Sequence, residues 1–169
     1  MPSVPTTPGE KILEQVRGAR ERQLTRETEP SHRQYLTVRA QDEWYALRVE
    51  NLVEVRRLPR ITGVPSVPEH IVGVMNFRGE VLSVIDLSRF FSLPQGRSAP
   101  DPAIVVVEHG QIRTGLLVDG VGDLVSLSLA DLGEEPLVGG RARRLYLEGV
   151  ARFGCGLVSL INLEGLLQP

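Results

Sequence analysis

Apolar and polar residues alternate with a period of two in many short runs after residue 30, and long helical periodicity is nearly absent there. The run 34–40, QYLTVRA, is typical of a half-buried strand, and Gln41-Asp42 predicts the turn that follows it. Further runs predict strands at 44–47, 49–57, 73–77, 80–86, 103–108, 112–118, 124–129, 145–152 and 157–163. About ten strands exceed one small sheet, so the pattern favours a mainly β fold of two packed five-stranded barrels.

The stretch 64–91 is the most sharply defined part of this pattern. Its two strand runs flank Arg78-Gly79, where glycine supplies the positive φ that a tight turn needs. The hairpin carries no catalytic group, yet it places the polar pair Asn76 and Arg78 at its tip among apolar neighbours. We interpret the whole stretch 64–91 as a binding surface and as the joint between the two barrels, with Arg78 as its best contact candidate.

Short helical segments border this hairpin. Pro68 stands at the tolerated first position of one predicted helical turn over 68–71. Asp86 or Ser88 is placed to cap a short helix over 87–91.

The first 30 residues differ from the rest of the chain. Residues 1–8 hold three prolines and predict a disordered lead, whereas 9–29 carry a thin apolar stripe at helical spacing. Its members are Ile12, Leu13, Val16, Ala19 and Leu24. We therefore expect 1–30 to be an N-terminal extension, partly disordered or helical, ahead of one domain over 31–169. The helix is either a solvated appendage or one that docks a partner.

Composition excludes several classes of protein. Among 169 residues, 41% are hydrophobic and 24% charged, which is ordinary for a soluble globular domain. The net charge of −2 gives no electrostatic argument for nucleic acid or an anionic membrane surface. No apolar run reaches a membrane span, and MPSVPTTPGEK lacks the apolar centre of a signal peptide. A single cysteine excludes an internal disulfide framework and a cysteine-based zinc site, so a cytoplasmic location fits best.

Several motifs in one order resemble a known family. They are Gln34-Tyr35-Leu36-Thr37, Val64-Pro65 to Pro68, the run IVGVMNFRG at 71–79, Val84-Ile85-Asp86-Leu87, Val118-Asp119-Gly120-Val121 and Leu147-Glu148-Gly149-Val150-Ala151. Together they resemble CheW, the adaptor of bacterial chemotaxis arrays. The resemblance covers about Gln34 to Leu167 and implies two SH3-like five-stranded barrels sharing a core.

What the resemblance implies about function is scaffolding. Members of this family bridge the cytoplasmic tips of methyl-accepting chemoreceptors and the regulatory domain of a CheA-like histidine kinase. Two barrels in a fixed arrangement present separate, pre-formed faces to such partners. No cofactor, metal or catalytic residue is implied, and membrane recruitment is expected through the receptors.

The resemblance also assigns contact residues. Asn76 and Arg78 fall on the family's Asn-x-Arg-Gly, and Arg78 matches the arginine tied to receptor contact. The remaining receptor positions by resemblance are Val74, Phe77, Val105 and Val121. The last two are expected in the second barrel, toward the groove between the barrels that takes the receptor hairpin in this family. Leu52 and Glu54 match positions near the family's kinase and receptor contacts, and we assign them to the kinase. For Arg78 the alternative is a side chain that satisfies backbone carbonyl groups at the turn. A turn-capping role is the alternative for Asn76, and a solvated charge is the alternative for Glu54.

Other functions were weighed against the adaptor. An enzyme would draw on His32, His70, His109 or Cys155, but these lie in predicted turns or a linker, and the carboxylate pair Glu134-Glu135 lies in a loop. No Gly-x-Ser-x-Gly, phosphate loop or His-Glu-x-x-His is present. A barrel binding a small apolar ligand is disfavoured because five-stranded interiors are filled by side chains. A scaffold of a non-flagellar motility or gene-control pathway stays open.

Overall fold

Ten strands form two five-stranded sheets in the computed structural model, which describes residues 8–25, 32–96, 98–133, 141–154 and 156–168. The strands are β1 His32–Ala40, β2 Glu43–Arg48, β3 Leu52–Arg57, β4 Ile71–Phe77, β5 Glu80–Asp86, β6 Ala103–His109, β7 Ile112–Val118, β8 Gly120–Ser128, β9 Leu147–Phe153 and β10 Gly156–Ile161. The helices are α1 Pro8–Thr25, α2 Leu87–Phe90, α3 Arg141–Arg144 and α4 Leu163–Leu167, with 3₁₀ turns at Val49–Asn51 and Leu129–Asp131. The prediction of a mainly β fold with two five-stranded units is confirmed.

The two sheets share one pattern of connections. The first sheet has the order β8-β1-β2-β10-β9 and the second the order β3-β6-β7-β5-β4. Each sheet contains two antiparallel hairpins joined by one parallel pair of strands. The parallel pair is β2 with β10 in the first sheet and β5 with β7 in the second. The first sheet is therefore assembled from both ends of the described chain, and the second from its middle.

Local details of the two sheets also correspond. Gly73-Val74 in β4 matches Gly149-Val150 in β9, and each valine forms an isolated bridge to the preceding connection. After β5, Asp86 caps α2 by accepting hydrogen bonds from the backbone N–H groups of Ser88 and Arg89. After β10, Asn162 caps α4 in the same way through the Gly165 N–H. The predicted cap at Asp86 is confirmed.

A shared core lies between the sheets, and the burial of β1 differs from the half-buried strand that the alternation pattern predicts. Leu36 and Val38 of β1 face this core, whereas Tyr35 of the same strand lies in a smaller cluster on the other side. β1 is thus buried on both faces rather than half-buried. Tyr45 of β2 stacks on Phe91 after α2, with ring centroids 4.8 Å apart, and so joins the two sheets.

Only the last part of the stretch 64–91 lies at the joint between the two units, since Ile85, Leu87 and Phe91 belong to the shared core. β4 is the outer strand of the second sheet, and Met75 and Phe77 belong to a separate cluster on that sheet. The joint is built instead by the strands and short helices that line the shared core, including β1, β2, β6 and α2. The interpretation of 64–91 as the joint therefore holds for its end at α2 and is corrected for the turn of the hairpin.

The N-terminal helix packs on the chain itself. Val16 and Ala19 of α1 are each 1% exposed and belong to the shared core. Since these side chains are buried, α1 is not a solvated appendage. Residues 1–7 and 26–31, where a disordered lead and a helix end at Pro30 were expected, lie outside the described residues, as does the side chain of Leu24.

The starts of two strands differ from the alternation pattern. β4 begins at Ile71 and is preceded by a hydrogen-bonded turn from Ile71 N–H to Pro68 O (2.9 Å), in place of a helical turn. β8 begins at Gly120, because this residue already pairs with Arg39 of β1.

Candidate functional site

The turn of the β4–β5 hairpin holds Arg78 in an unusual backbone conformation. Arg78 has φ 51° and Gly79 has φ 85°, so both central residues have the positive φ of type I′ hairpin turns. Asn76 caps the turn, since its Oδ1 accepts a hydrogen bond from the Gly79 N–H at 3.2 Å. The alternative role weighed for Asn76 is therefore present. A residue other than glycine with positive φ is uncommon and costs conformational free energy, so we expect the Arg78 side chain to make contacts that offset this cost.

The Arg78 side chain reaches the opposite edge of the same sheet. Its Nη2 lies 2.5 Å from Oε2 of Glu54 on β3, and its guanidinium lies 5.0 Å from the centroid of the Phe77 ring. The Arg78 side chain is 62% exposed and that of Glu54 is 14% exposed. Two residues assigned to different partners by resemblance are thus one ion pair on one surface.

Further charges surround the same aromatic ring. Arg56 and Arg113 lie 5.7 Å and 6.0 Å from the Phe77 centroid. Arg113 bonds Glu80 at 3.0 Å and Glu108 at 2.5 Å, and the hydrogen bond to Glu108 raises the pKa of the Arg113 guanidinium. We call this group the hairpin-end cluster; its members are Glu54, Arg56, Phe77, Arg78, Glu80, Glu108 and Arg113. Three arginines alternate with three glutamates, so the cluster is electrostatically balanced and holds Arg78 in a defined place.

An exposed apolar strip lies on the opposite face of these strands. In β4–β5 the register pairs Asn76 with Val81 and Val74 with Ser83, so these four share a face. Val81 is 73% exposed and Ile112 of β7 is 45% exposed. The parallel register of β5 and β7, continued back three residues from its first pair, brings Val81 beside Ile112. We call this surface the outer strip: Val74, Asn76, Val81, Ser83 and Ile112.

Several predicted contact residues are buried. Leu52 and Val105 are 0% exposed in the shared core, and Phe77 is 1% exposed beneath the arginines. A side chain without accessible surface offers nothing for a partner to touch, so the expectation of direct contact is corrected for these three. Val121 is partly buried against the shared core, and it lies on β8 of the first sheet, whereas Val105 lies on β6 of the second. The two valines are therefore not in one barrel.

Sequence reasoning missed Val81, Ile112 and the partners of Arg78 within the cluster. Val81 and Ile112 occupy outward positions of their strands, and an apolar residue at an outward position next to a tight turn was the available signal. Nothing in the sequence pattern indicated the hairpin-end cluster. Arg56, Glu54 and Arg113 come from strands that only the sheet order brings together.

Candidate groups for chemistry do not converge in the described residues. His70 packs edge-on against Phe90 at 5.2 Å, His32 pairs with Ser128 at the start of β1, and His109 ends β6. In the described part of the chain, no three His, Cys, Asp or Glu side chains are grouped as ligands for a metal ion. Cys155 and the pair Glu134-Glu135 lie outside the described residues. None of the described helices is long and apolar enough to cross a membrane.

A polar cleft of about 110 Å³ opens where the two sheets meet. Arg48 and Glu148, bonded at 2.8 Å, line it from the first sheet, and His109 lines it from the second. Burial lowers the pKa of Arg48, but the bonds to Glu148 outweigh it, so the net shift is upward. A lining of this kind does not suit the small apolar ligand considered from the sequence.

Most of the chain is similar to known proteins. Residues 34–169 match the family described as CheW-like domain. Protein FrzA of Myxococcus xanthus is 35% identical over 141 residues, covering 77% of this chain and 88% of that protein. Chemotaxis protein CheW of Klebsiella aerogenes is 31% identical over 128 residues, covering 75% and 76%. The crystal structure of scaffolding protein TtCheW from Thermoanaerobacter tengcongensis has a TM-score of 0.71 at 27% identity, covering 81% of this chain and 88% of that chain.

Proposed function

The chain belongs to the CheW-like family of non-enzymatic adaptors, and we propose from this that it couples chemoreceptor tips to a CheA-type histidine kinase in a cytoplasmic chemosensory array. The observation that carries the proposal is the hairpin-end cluster. It holds one exposed arginine in a fixed position by an ion pair to Glu54 and a cation–π contact with Phe77. A pre-organised charge loses little conformational entropy when a partner binds it.

The receptor tip docks on Arg78 and the outer strip. Val81 and Ile112 supply exposed apolar area, Val74 is half-buried beside them, and Asn76 and Arg78 supply polar groups at one end. An amphipathic helical hairpin, as the resemblance implies for a receptor tip, matches an apolar strip with a charged end. Phe77 and Val105 support this surface from beneath, and Val121 packs along the shared core.

The kinase regulatory domain docks on β3. Of the two residues assigned to the kinase, Glu54 has a side chain that is 14% exposed, whereas Leu52, two residues earlier, has no exposed surface and shapes the strand from within. Because Glu54 also holds Arg78, the two docking surfaces meet at one ion pair. Occupation of either surface therefore affects the geometry of the other, which is the property that an adaptor between a sensor and a kinase requires.

The test uses two matched variants, each placing a charge on an exposed apolar residue. Val81→Asp changes the outer strip, and Leu157→Asp changes β10 of the first sheet, where Leu157 is 52% exposed. We expect a receptor tip fragment to bind the wild type and L157D, but not V81D. A CheA-type regulatory domain should bind all three. Absence of binding by the wild type to both partners would refute the adaptor function.

A second candidate is a chemosensory pathway other than the flagellar one. It is favoured by the 35% identity to protein FrzA, beside 31% to the chemotaxis protein CheW of Klebsiella aerogenes. Both candidates use the same surfaces, so the identity of the receptor captured by the wild type distinguishes them.

A further inference from the structure

The N-terminal helix lies against the free side of β3. β3 is the outer strand of the second sheet, with β6 on one side, and α1 packs against β3 and the 3₁₀ turn Val49–Asn51. Nη1 of Arg20 on α1 donates a hydrogen bond to the backbone oxygen of Leu52, at 3.0 Å. The carbonyl oxygen of an outer strand is a group that binding partners commonly use. In this protein α1 already occupies it.

Few of the described side chains of α1 hold the helix in this place. Of the helix residues whose side chains are described, 11–22, Val16 and Ala19 are buried, and Ile12 is partly buried against the same core. Valine and alanine are small, so the apolar area covered is modest. The helix also lies outside residues 34–169, the part that matches the family. Such a contact is weak enough for a protein partner to displace.

We propose that α1 is a displaceable cover of the kinase-docking side of β3. The inference rests on the proposed function, in which the regulatory domain of the kinase docks at Glu54. Leu52 lies two residues before Glu54 on the same strand, and its carbonyl oxygen is bound by Arg20. The kinase domain and α1 therefore compete for one edge, and full docking requires α1 to leave.

Competition of this kind has a quantitative consequence. When only the open fraction of the protein binds, the apparent Kd exceeds the intrinsic Kd by the inverse of that fraction. Weakening α1 must then strengthen kinase binding, and kinase binding must in turn release α1. A helix that is a permanent part of the core gives neither effect.

The experiment measures the Kd of a CheA-type regulatory domain for the full chain and three variants. V16A removes two buried methyl groups, and we expect it to tighten binding up to about tenfold. R20A removes the hydrogen bond to Leu52 and is expected to tighten binding by about twofold to fivefold. R17A is the matched control, since Arg17 is exposed on the same helix, and its Kd should equal that of the wild type.

Amide hydrogen exchange supplies a second measurement on the unmodified protein. Exchange within 11–22 should rise when the kinase domain is added at saturation, while exchange in β6 and β7 stays unchanged. Thermal melting of each variant verifies that the sheets stay folded.

The outcomes separate the two proposals. Tighter binding by V16A and R20A, together with faster exchange in α1, supports the cover. Equal binding by all variants, or weaker binding by V16A and R20A, overturns the cover and leaves the adaptor function standing, because the kinase domain still binds. Failure of every form to bind the kinase domain overturns both.

Discussion

Replacing Arg78 by alanine separates a contact residue from a structural one. The side chain is 62% exposed, and its ion pair with Glu54 is of the exposed kind that contributes about 0.2–1 kcal/mol to the free energy of unfolding. Glu54 does not lose all its partners in the variant, since Nε of Arg56 lies 3.8 Å from its Oε1. For a chain of this length, up to about 1 kcal/mol corresponds to a fall in Tm of at most about 4 °C.

The expected loss of receptor binding is much larger. An arginine that anchors an interface contributes about 2 kcal/mol or more to binding, and its loss corresponds to about a thirtyfold weaker Kd. We therefore expect Arg78→Ala to weaken capture of a receptor tip at least about thirtyfold with a small change in Tm. Isothermal titration calorimetry and thermal melting measure the two quantities on the same preparation.

Two further substitutions serve as controls for backbone strain at position 78 and for the loss of an exposed arginine elsewhere. Arg78→Gly also removes the side chain but suits φ 51° better than alanine, so it should bind as weakly as R78A while melting at a higher temperature. Arg89→Ala removes another exposed arginine, paired with Asp86 at 3.4 Å, and should leave receptor binding unchanged. If R78A melted well below the wild type and still bound the receptor tip normally, Arg78 would be structural and the reasoning would fail.

Three other predictions concern the frame that carries the site. Gly73→Ala should lower the free energy of unfolding by about 1–3 kcal/mol in chemical denaturation, because a Cβ at φ 149° would overlap the Thr62 carbonyl group and break its bridge to Val74. Gly63→Ala is the control and should be neutral, since a Cβ at Gly63 has open space around it. Burial raises the pKa of Tyr45, and the hydrogen bond from its hydroxyl to Glu43 raises it further. The folded state therefore keeps a proton that the unfolded state releases above about pH 10. The free energy of unfolding should fall as the pH rises above that value, and it should fall less steeply in Tyr45→Phe. Asn162→Ala should cost about 1 kcal/mol of stability by removing the cap of α4, and a denaturation midpoint equal to that of the wild type would contradict the capping role.

Local features of the chain could be read from the sequence because their causes are local. The turn at Arg78-Gly79 follows from the need for positive φ, and the cap at Asp86 follows from unpaired N–H groups at the start of α2. The sequence also contains the same Gly-Val dipeptide at 73–74 and at 149–150, and the structure places the two copies at equivalent positions of the two sheets. The positions of the strands, the turns and the exposed polar tip thus required no knowledge of distant contacts.

Burial and neighbourhood could not be read in the same way. Leu52, Phe77 and Val105 are apolar residues within strands, and nothing local distinguishes a core position from an apolar contact position. α1 has a stripe too thin to reveal whether it packs on its own domain, yet Val16 is buried. Which side of a strand becomes covered depends on elements far away in the chain.

The sequence by itself determined the mainly β class, the hairpin with its polar tip, and the resemblance that points to an adaptor. The tertiary structure alone decided that this hairpin lies at the edge of a sheet, that Arg78 binds Glu54, and that α1 lies on β3. The physical reason is the range of the forces involved. Turns, caps and alternation are fixed by a few neighbouring residues, whereas an ion pair between residues 24 positions apart exists only after the strands between them have paired.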